Sequence, residues 1–301
     1  MNRFLLLALI GWMFSSAWAE EETPPSVPSS EEIKRSDPWL TSSNASALTR
    51  YSLPNGAEAE LWLTKAKGGF TDFSGSPDML SVGASVESFF RLNSHAVVYG
   101  AMSYTNFSGH DMAGSVFIHS TPQLPTPNSQ LLTPNSQLPT PHLPFDIVED
   151  SLNNTGTKHQ DTYRLTGGFG YSLADGFAIG ARLDYTAANL AKYKDLRHQN
   201  KLMDLDLTVG FYIPLGHRGT DGTAIGANYL YHRTTESLQF STYGKNDKVY
   251  NSLISYANFM GQVEQFGYTG FTDKSRAMPL VSDYNGLSLQ FSLSPGVAAD
   301  A

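Results

Sequence analysis

The sequence predicts an all-β protein, a transmembrane antiparallel β-barrel with eight candidate strands, on three observations. An export signal is followed by no apolar run long enough to cross a bilayer as a helix. Apolar residues then recur at every second position, the period of a strand with two different faces. The stretches joining these segments alternate between long and short.

The export signal comes first. Arg3 precedes an apolar run over residues 4–14, too short to span a membrane, and Ala17-Trp18-Ala19 supplies the small-x-small cleavage pattern before Glu20. Residues 1–19 therefore read as a signal peptide. Residues 20–54 are polar and Pro/Ser-rich, with one apolar patch at Pro38-Trp39-Leu40, and read as a periplasmic segment leading into a barrel over 55–294. A tail at 295–301 follows. The 301 residues contain no cysteine, which removes disulfides and thiolate metal sites. A net charge of −8 argues against nucleic acid, whose phosphates require a basic surface. No run of 18 apolar residues follows the signal, so a membrane-spanning chain must be a barrel, the other fold that satisfies every backbone group in lipid.

The strands follow from alternation. Tyr163, Leu165, Gly167, Phe169, Tyr171 and Leu173 share one face, with Arg164, Thr166, Gly168, Gly170 and Ser172 on the other. After the tight-turn signal Asp175-Gly176, Phe177, Ile179, Ala181, Leu183 and Tyr185 alternate with Ala178, Gly180, Arg182 and Asp184. Stretches 203–213 and 225–231 repeat the pattern, and 57–67, 79–91, 95–107 and 284–294 carry weaker versions. Phe177 and Tyr185 lie about 26 Å apart along a strand at ~3.3 Å per residue, enough to separate two aromatic girdles once the strand is tilted. Connections at 68–78, 108–160, 188–200 and 235–283 are long and polar; those at 92–94, 174–176 and 214–221 are short. Outer-membrane barrels sort their loops this way, whereas a soluble sandwich has no reason to. Within 121–144 a unit beginning Leu124-Pro125-Thr126-Pro127-Asn128-Ser129-Gln130 is tandemly repeated, and its prolines forbid both helix and strand pairing.

Several segments resemble a family of envelope barrels of uncharacterised function from gut Bacteroidota. They are Pro144-Phe145-Asp146-Ile147-Val148-Glu149-Asp150-Ser151-Leu152, Tyr185-Thr186-Ala187-Ala188-Asn189, Lys194-Asp195-Leu196-Arg197-His198, Arg233-Thr234-Thr235-Glu236-Ser237 and Tyr243-Gly244-Lys245-Asn246-Asp247-Lys248. The resemblance covers residues 36–294. Its members are longer, with further strands after the region similar to 287–293, so the resemblance implies a C-terminally truncated copy. It implies no activity, cofactor or catalytic residue.

For function, the sequence specifies a place more than an activity. The leading expectation is a non-enzymatic outer-membrane protein with long surface loops, contacting outer-membrane lipid and the barrel-assembly machinery, with no cofactor and no nucleic acid. Arg164, Arg182, Asp184, Asp204, Asp206 and His232 are assigned to a polar lumen network. Asp204 and Asp206 point to one side, and such a pair suits acid–base work or a cation. A structural network with Arg164 and Arg182 as their salt-bridge partners is preferred. One alternative is a barrel-mouth hydrolase using His110, Asp111, Asp195 and His198 from predicted loops; the other is a solute pore with an open lumen. No two histidines stand at metal-ligand spacing. Lys192, Tyr193, Lys194 and Arg197 read as a solvated loop tip with Asp195 as partner, and Asn44-Ala45-Ser46 as a glycosylation triplet of negligible weight.

Overall fold

The computed structural model describes residues 29–68, 76–118, 145–149, 154–173, 176–215, 223–241, 250–256, 260–266 and 277–293. The expected signal peptide at 1–19, the Pro-rich insertion at 121–144 and the expected tail at 295–301 lie outside them.

The chain is all-β and antiparallel. Eight strands form one large sheet: β1 (Gly56–Lys67), β2 (Asp78–Arg91), β3 (Ala96–Met112), β6 (Gly156–Ser172), β7 (Ala178–Lys192), β8 (Arg197–Pro214), β9 (Ala224–Ser241) and β12 (Ala277–Ser292), in that spatial order. Each of the eight predicted stretches maps onto one of them. Gly176 takes φ +80° in the Asp-Gly turn, and Leu173 N donates to Phe177 O at 2.7 Å to close that hairpin. Among the described strands, β1 and β12 each have a neighbour on one side alone, so the sheet is open and the eight strands do not close on themselves.

The ladder runs further than the alternation that predicts it. β6 begins at Gly156, β7 continues to Lys192, β8 starts at Arg197 and β9 ends at Ser241. The predicted long loop at 188–200 is therefore corrected to residues 193–196, and His159 and His198 lie in strands. Beyond the apolar band the outward face turns polar and the inward face mixes Leu190, Leu202, Leu238 and Phe240 with Lys192, His198, Asn200 and Glu236, so the period-2 signal fades while the hydrogen bonds go on. The connections also hold strands of their own. β4 (Gly114–Ser115), β5 (Phe145–Glu149), β10 (Tyr250–Tyr256) and β11 (Met260–Phe266) form a second sheet in the order β11-β10-β5-β4.

Burial is inverted relative to a water-soluble sheet. On β8, Leu207 and Val209 are 40% and 53% exposed, while Thr208 between them is 3% exposed. The same side of the sheet shows Leu63, Val86, Met102, Phe169, Ile179, Leu183, Tyr229 and Leu289 to the outside. The opposite, inward face carries Glu87, Ser103, Thr166, Asn200, Asn228 and His232, all buried. No helix among the described residues is long and apolar enough to cross a membrane.

Residues 29–54 cover part of the inward face. Helix α1 (Ser30–Ser36) starts at a capping box between Ser29 and Glu32. Two 3-10 turns follow, η1 (Pro38–Thr41) capped by Asp37 and η2 (Ala45–Arg50) capped by Asn44. Turn η2 lies against β3, β6, β7 and β8.

Candidate functional site: the polar inward face

The inward face has three zones. At the short-connection end it is cut into a lane of small residues. Gly170, Gly180 and Gly210 sit side by side on β6, β7 and β8, and Gly226 on β9 pairs with Tyr212. The start of η2 lies in this lane. Asn44 Nδ2 donates to Phe211 O at 2.8 Å, Thr208 Oγ1 donates to Ser43 O at 3.0 Å, and Asn228 Nδ2 donates to Ser43 Oγ at 3.3 Å. Trp39 meets the Tyr212 ring edge-on at 5.0 Å, and Arg50 donates to the Tyr212 hydroxyl at 2.5 Å. Lys34 pairs with Glu87. A methyl group at Gly180 would stand 2.3 Å from Ser46 N, so only a bare backbone admits the segment there. Asn44, a glycosylation triplet by sequence, is buried as a helix cap. Its signal was legible in another way: an Asn ahead of Ala-Ser-Ala is an N-cap pattern.

In the middle, a row of polar groups runs across the strands in register: Thr166, Asp184, Asp206, His232 and Tyr284. Thr166 Oγ1 donates to Asp184 Oδ1 at 2.8 Å, and Arg182 grips the same carboxylate with Nε at 2.6 Å and an Nη at 2.8 Å. His232 Nδ1 stands 2.6 Å from Asp206 Oδ1 and 3.4 Å from Asp204 Oδ1. The predicted salt bridges of Arg164 and Arg182 to Asp204 and Asp206 are thus corrected. Arg182 lies two residues from Asp184 on the same face and is spent there, and a histidine from the next strand serves the aspartate pair. Arg164 is half-buried on the same face and makes no ion pair among the described residues.

At the long-connection end the small sheet is fastened by buried charge. Glu149 on β5 meets Lys158 at 2.7 Å and also binds Lys192. Lys192 Nζ donates to Asn154 O at 2.7 Å, and Lys158 Nζ donates to Ala113 O at 2.9 Å and Ser115 O at 3.1 Å. Burial pushes the Glu149 carboxyl up, but Lys158, His198 and Lys192 outweigh it and hold it well below the usual carboxylate range. Asn200 Nδ2 donates to Val116 O at 2.6 Å, and Ile118 N donates to Glu236 Oε1 at 2.9 Å. Lys192, read from sequence as a solvated loop residue, is fully buried, whereas Arg197 does pair with Asp195, at 2.9 Å.

Of the four groups of the hydrolase alternative, His110, Asp195 and His198 spend their contacts elsewhere, and Asp111 is exposed near the end of β3 with φ 51°. His110 Nδ1 contacts Thr157 Oγ1 at 3.2 Å, Asp195 holds Arg197, and His198 is buried in β8 with Nδ1 3.2 Å from Asn200 Oδ1. His198 Nε2 faces Glu149 Oε2 at 3.8 Å.

An open antiparallel sheet that buries charge and exposes aliphatic side chains defines the class. The chain belongs to a family of unknown function, DUF6850, whose profile matches residues 144–300. That match takes in β5 through β12 and the whole Asp184–Asp206–His232 row, and leaves residues 29–54 and β1 to β3 outside it. No curated protein and no solved structure matches the chain.

Proposed function

We propose that the chain is an outer-membrane β-barrel protein without enzymatic activity, exported through residues 1–19 and carrying its long connections at the cell surface. The observation that carries this reading is the inverted burial of the large sheet. Exposed Leu, Val, Phe and Tyr on one face suit hydrocarbon, and buried Glu, Lys, His and Asn on the other suit a filled lumen. Strands of 12 to 18 residues exceed the ~9–11 that a tilted crossing needs. On β8 the outward face turns from Leu205, Leu207 and Val209 to Gln199 and Lys201 toward the long-connection end, as it would on leaving lipid. An open pore is disfavoured, because residues 29–54 occupy one end of the inward face and residues 113–118 with Glu149 occupy the other. In hydrocarbon each unsatisfied backbone group costs several kcal/mol, so this reading requires β1 and β12 to be paired within the membrane.

Three results test it. The mature chain fractionates with outer membranes and migrates heat-modifiably; recovery as a folded soluble periplasmic protein would overturn the reading. Arginine at Ile179, Leu183, Leu205 or Leu207 lowers stability in lipid by ~2–4 kcal/mol, whereas arginine at Lys201 is tolerated. Equal tolerance at Leu207 and Lys201 contradicts a lipid-facing surface. Deleting residues 124–144, whose prolines can neither pair nor continue a helix, leaves membrane recovery and heat-modifiable migration unchanged.

A further inference from the structure

We propose that Asp204, Asp206 and His232 form a binding site for one divalent first-row transition ion, of the Zn²⁺ or Mn²⁺ type, on the inward face of the large sheet. Strand β8 sets the two aspartates two residues apart, hence on one side, and the β8–β9 register places His232 directly opposite Asp206. One ligand atom from each residue lies within 4.8 Å of the others. Short side-chain adjustments bring such a triad to the ~2.0–2.2 Å that nitrogen and carboxylate ligands keep from zinc.

The chemistry of the triad calls for a positive charge at its centre. Two carboxylate oxygens converge on the His232 Nδ1 atom, at 2.6 and 3.4 Å. Arg182, the counter-charge that the sequence offers, is held by Asp184. A proton on Nδ1 serves mainly one carboxylate; a metal ion engages all three groups at once. A second observation concerns the other ring nitrogen. His232 is 7% exposed, yet its Nε2 is buried and has no hydrogen-bond partner among the described residues. The ring is therefore held through Nδ1, the atom that faces both carboxylates, and no described residue competes for it through Nε2.

The donor set selects the ion. Two oxygens and one imidazole, with no sulfur, suit zinc or manganese, whereas calcium prefers six to eight oxygens. The aspartate side chains are 28% and 20% exposed, so water can complete the coordination. Bound there, the ion ties β8 to β9. The site stands on the large sheet alone and does not depend on the membrane reading.

The test uses the full mature chain, folded and stripped of metal with a chelator, titrated calorimetrically with Zn²⁺, Mn²⁺ and Ca²⁺. The expected result is one Zn²⁺ or Mn²⁺ per chain with a raised melting temperature, and weaker binding of Ca²⁺. Loss of even an outer hydrogen-bond partner of a ligand costs about 10–100-fold in affinity, so Asp204→Asn, Asp206→Asn and His232→Gln each weaken binding by about 100-fold or more. Asp184→Asn, beside the triad and outside it, keeps the affinity. The chain has eight histidines, so the difference between wild type and variants is the readout, not binding alone. Should His232→Gln fail to fold, the two isosteric aspartate variants decide. Absence of stoichiometric binding by the wild type, preference for Ca²⁺, or unchanged affinity in the folded aspartate variants overturns the site.

Discussion

Replacing Glu149 with glutamine loosens the small sheet from the large one by about 3–5 kcal/mol, the cost of removing one side of a buried ion pair. Glu149 is 3% exposed, and Lys158 and Lys192, which share its carboxylate, are each 1% exposed. Glutamine keeps the shape and leaves two buried ammonium groups without the charge that offsets their desolvation. Their contacts to Ala113, Ser115 and Asn154 oxygens satisfy hydrogen bonds but carry no full negative charge. The pH dependence follows from the direction of the Glu149 shift. A carboxyl held below its unfolded value contributes stability that is present above the unfolded pKa of ~4.3 and is lost as pH falls through the folded one. The difference between wild type and Glu149→Gln is therefore complete at pH 7 and still present at pH 5, and shrinks only in stronger acid. Hydrogen exchange at residues 113–118 and 145–149 measures it. Equal protection in the two proteins at pH 7, or a difference that disappears near pH 6, contradicts the latch.

Gly180→Ala displaces residues 29–54 from the inward face. The added methyl group stands 2.3 Å from Ser46 N and 2.5 Å from Ala45 C, both backbone atoms of η2 that no side-chain rotation can move. Overpacking of this kind costs about 1–3 kcal/mol when the neighbour yields. Here the neighbour yields by leaving, and the Asn44–Phe211 and Thr208–Ser43 hydrogen bonds go with it. Gly167 on the same sheet is the matched control, since a methyl group there meets nothing within 4 Å. In a Trp62→Phe background that lacks residues 1–19, and with them Trp12 and Trp18, the emission of Trp39, buried against Tyr212, shifts to the red in Gly180→Ala and stays unchanged in Gly167→Ala. Identical emission from the two variants refutes the glycine lane as the seat of the segment.

The large sheet was legible because its strands carry the alternation on which sequence reading depends. Leu207 and Thr208 declare their faces without any knowledge of neighbours. The strand ends were not legible: around Gln199, Lys201 and His198 both faces are polar, and the pattern vanishes although the ladder continues. Strand β5 was missed for a different reason. Five residues are too few for a period to show, and its longer partner, β10, lies roughly a hundred residues further on. The residues of the central row were legible singly, as inward polar positions. Their pairing was not, because it depends on register: the sequence places Asp206 near Asp204, and only the β8–β9 alignment brings His232 between them. The seat of residues 29–54 divides in the same way. Pro38-Trp39-Leu40 announces a buried patch, and the glycines announce missing bulk, but nothing local says that one fills the other.

The hydrogen bond from Asn44 to Phe211 spans 167 residues of chain, and that from Asn228 to Ser43 spans 185. The segment leaves the ribosome ahead of every strand that receives it. Its seat does not exist until β6, β7, β8 and β9 have aligned, and contacts of such long range form slowly because the loop they close must be ordered first. A slip of one residue in β8 would turn Gly210 outward and present Val209 or Phe211 to η2. Docking of the earliest-made residues thus comes late in folding and succeeds only on correctly aligned strands, which makes the amino-terminal segment a proofreader of the sheet it completes.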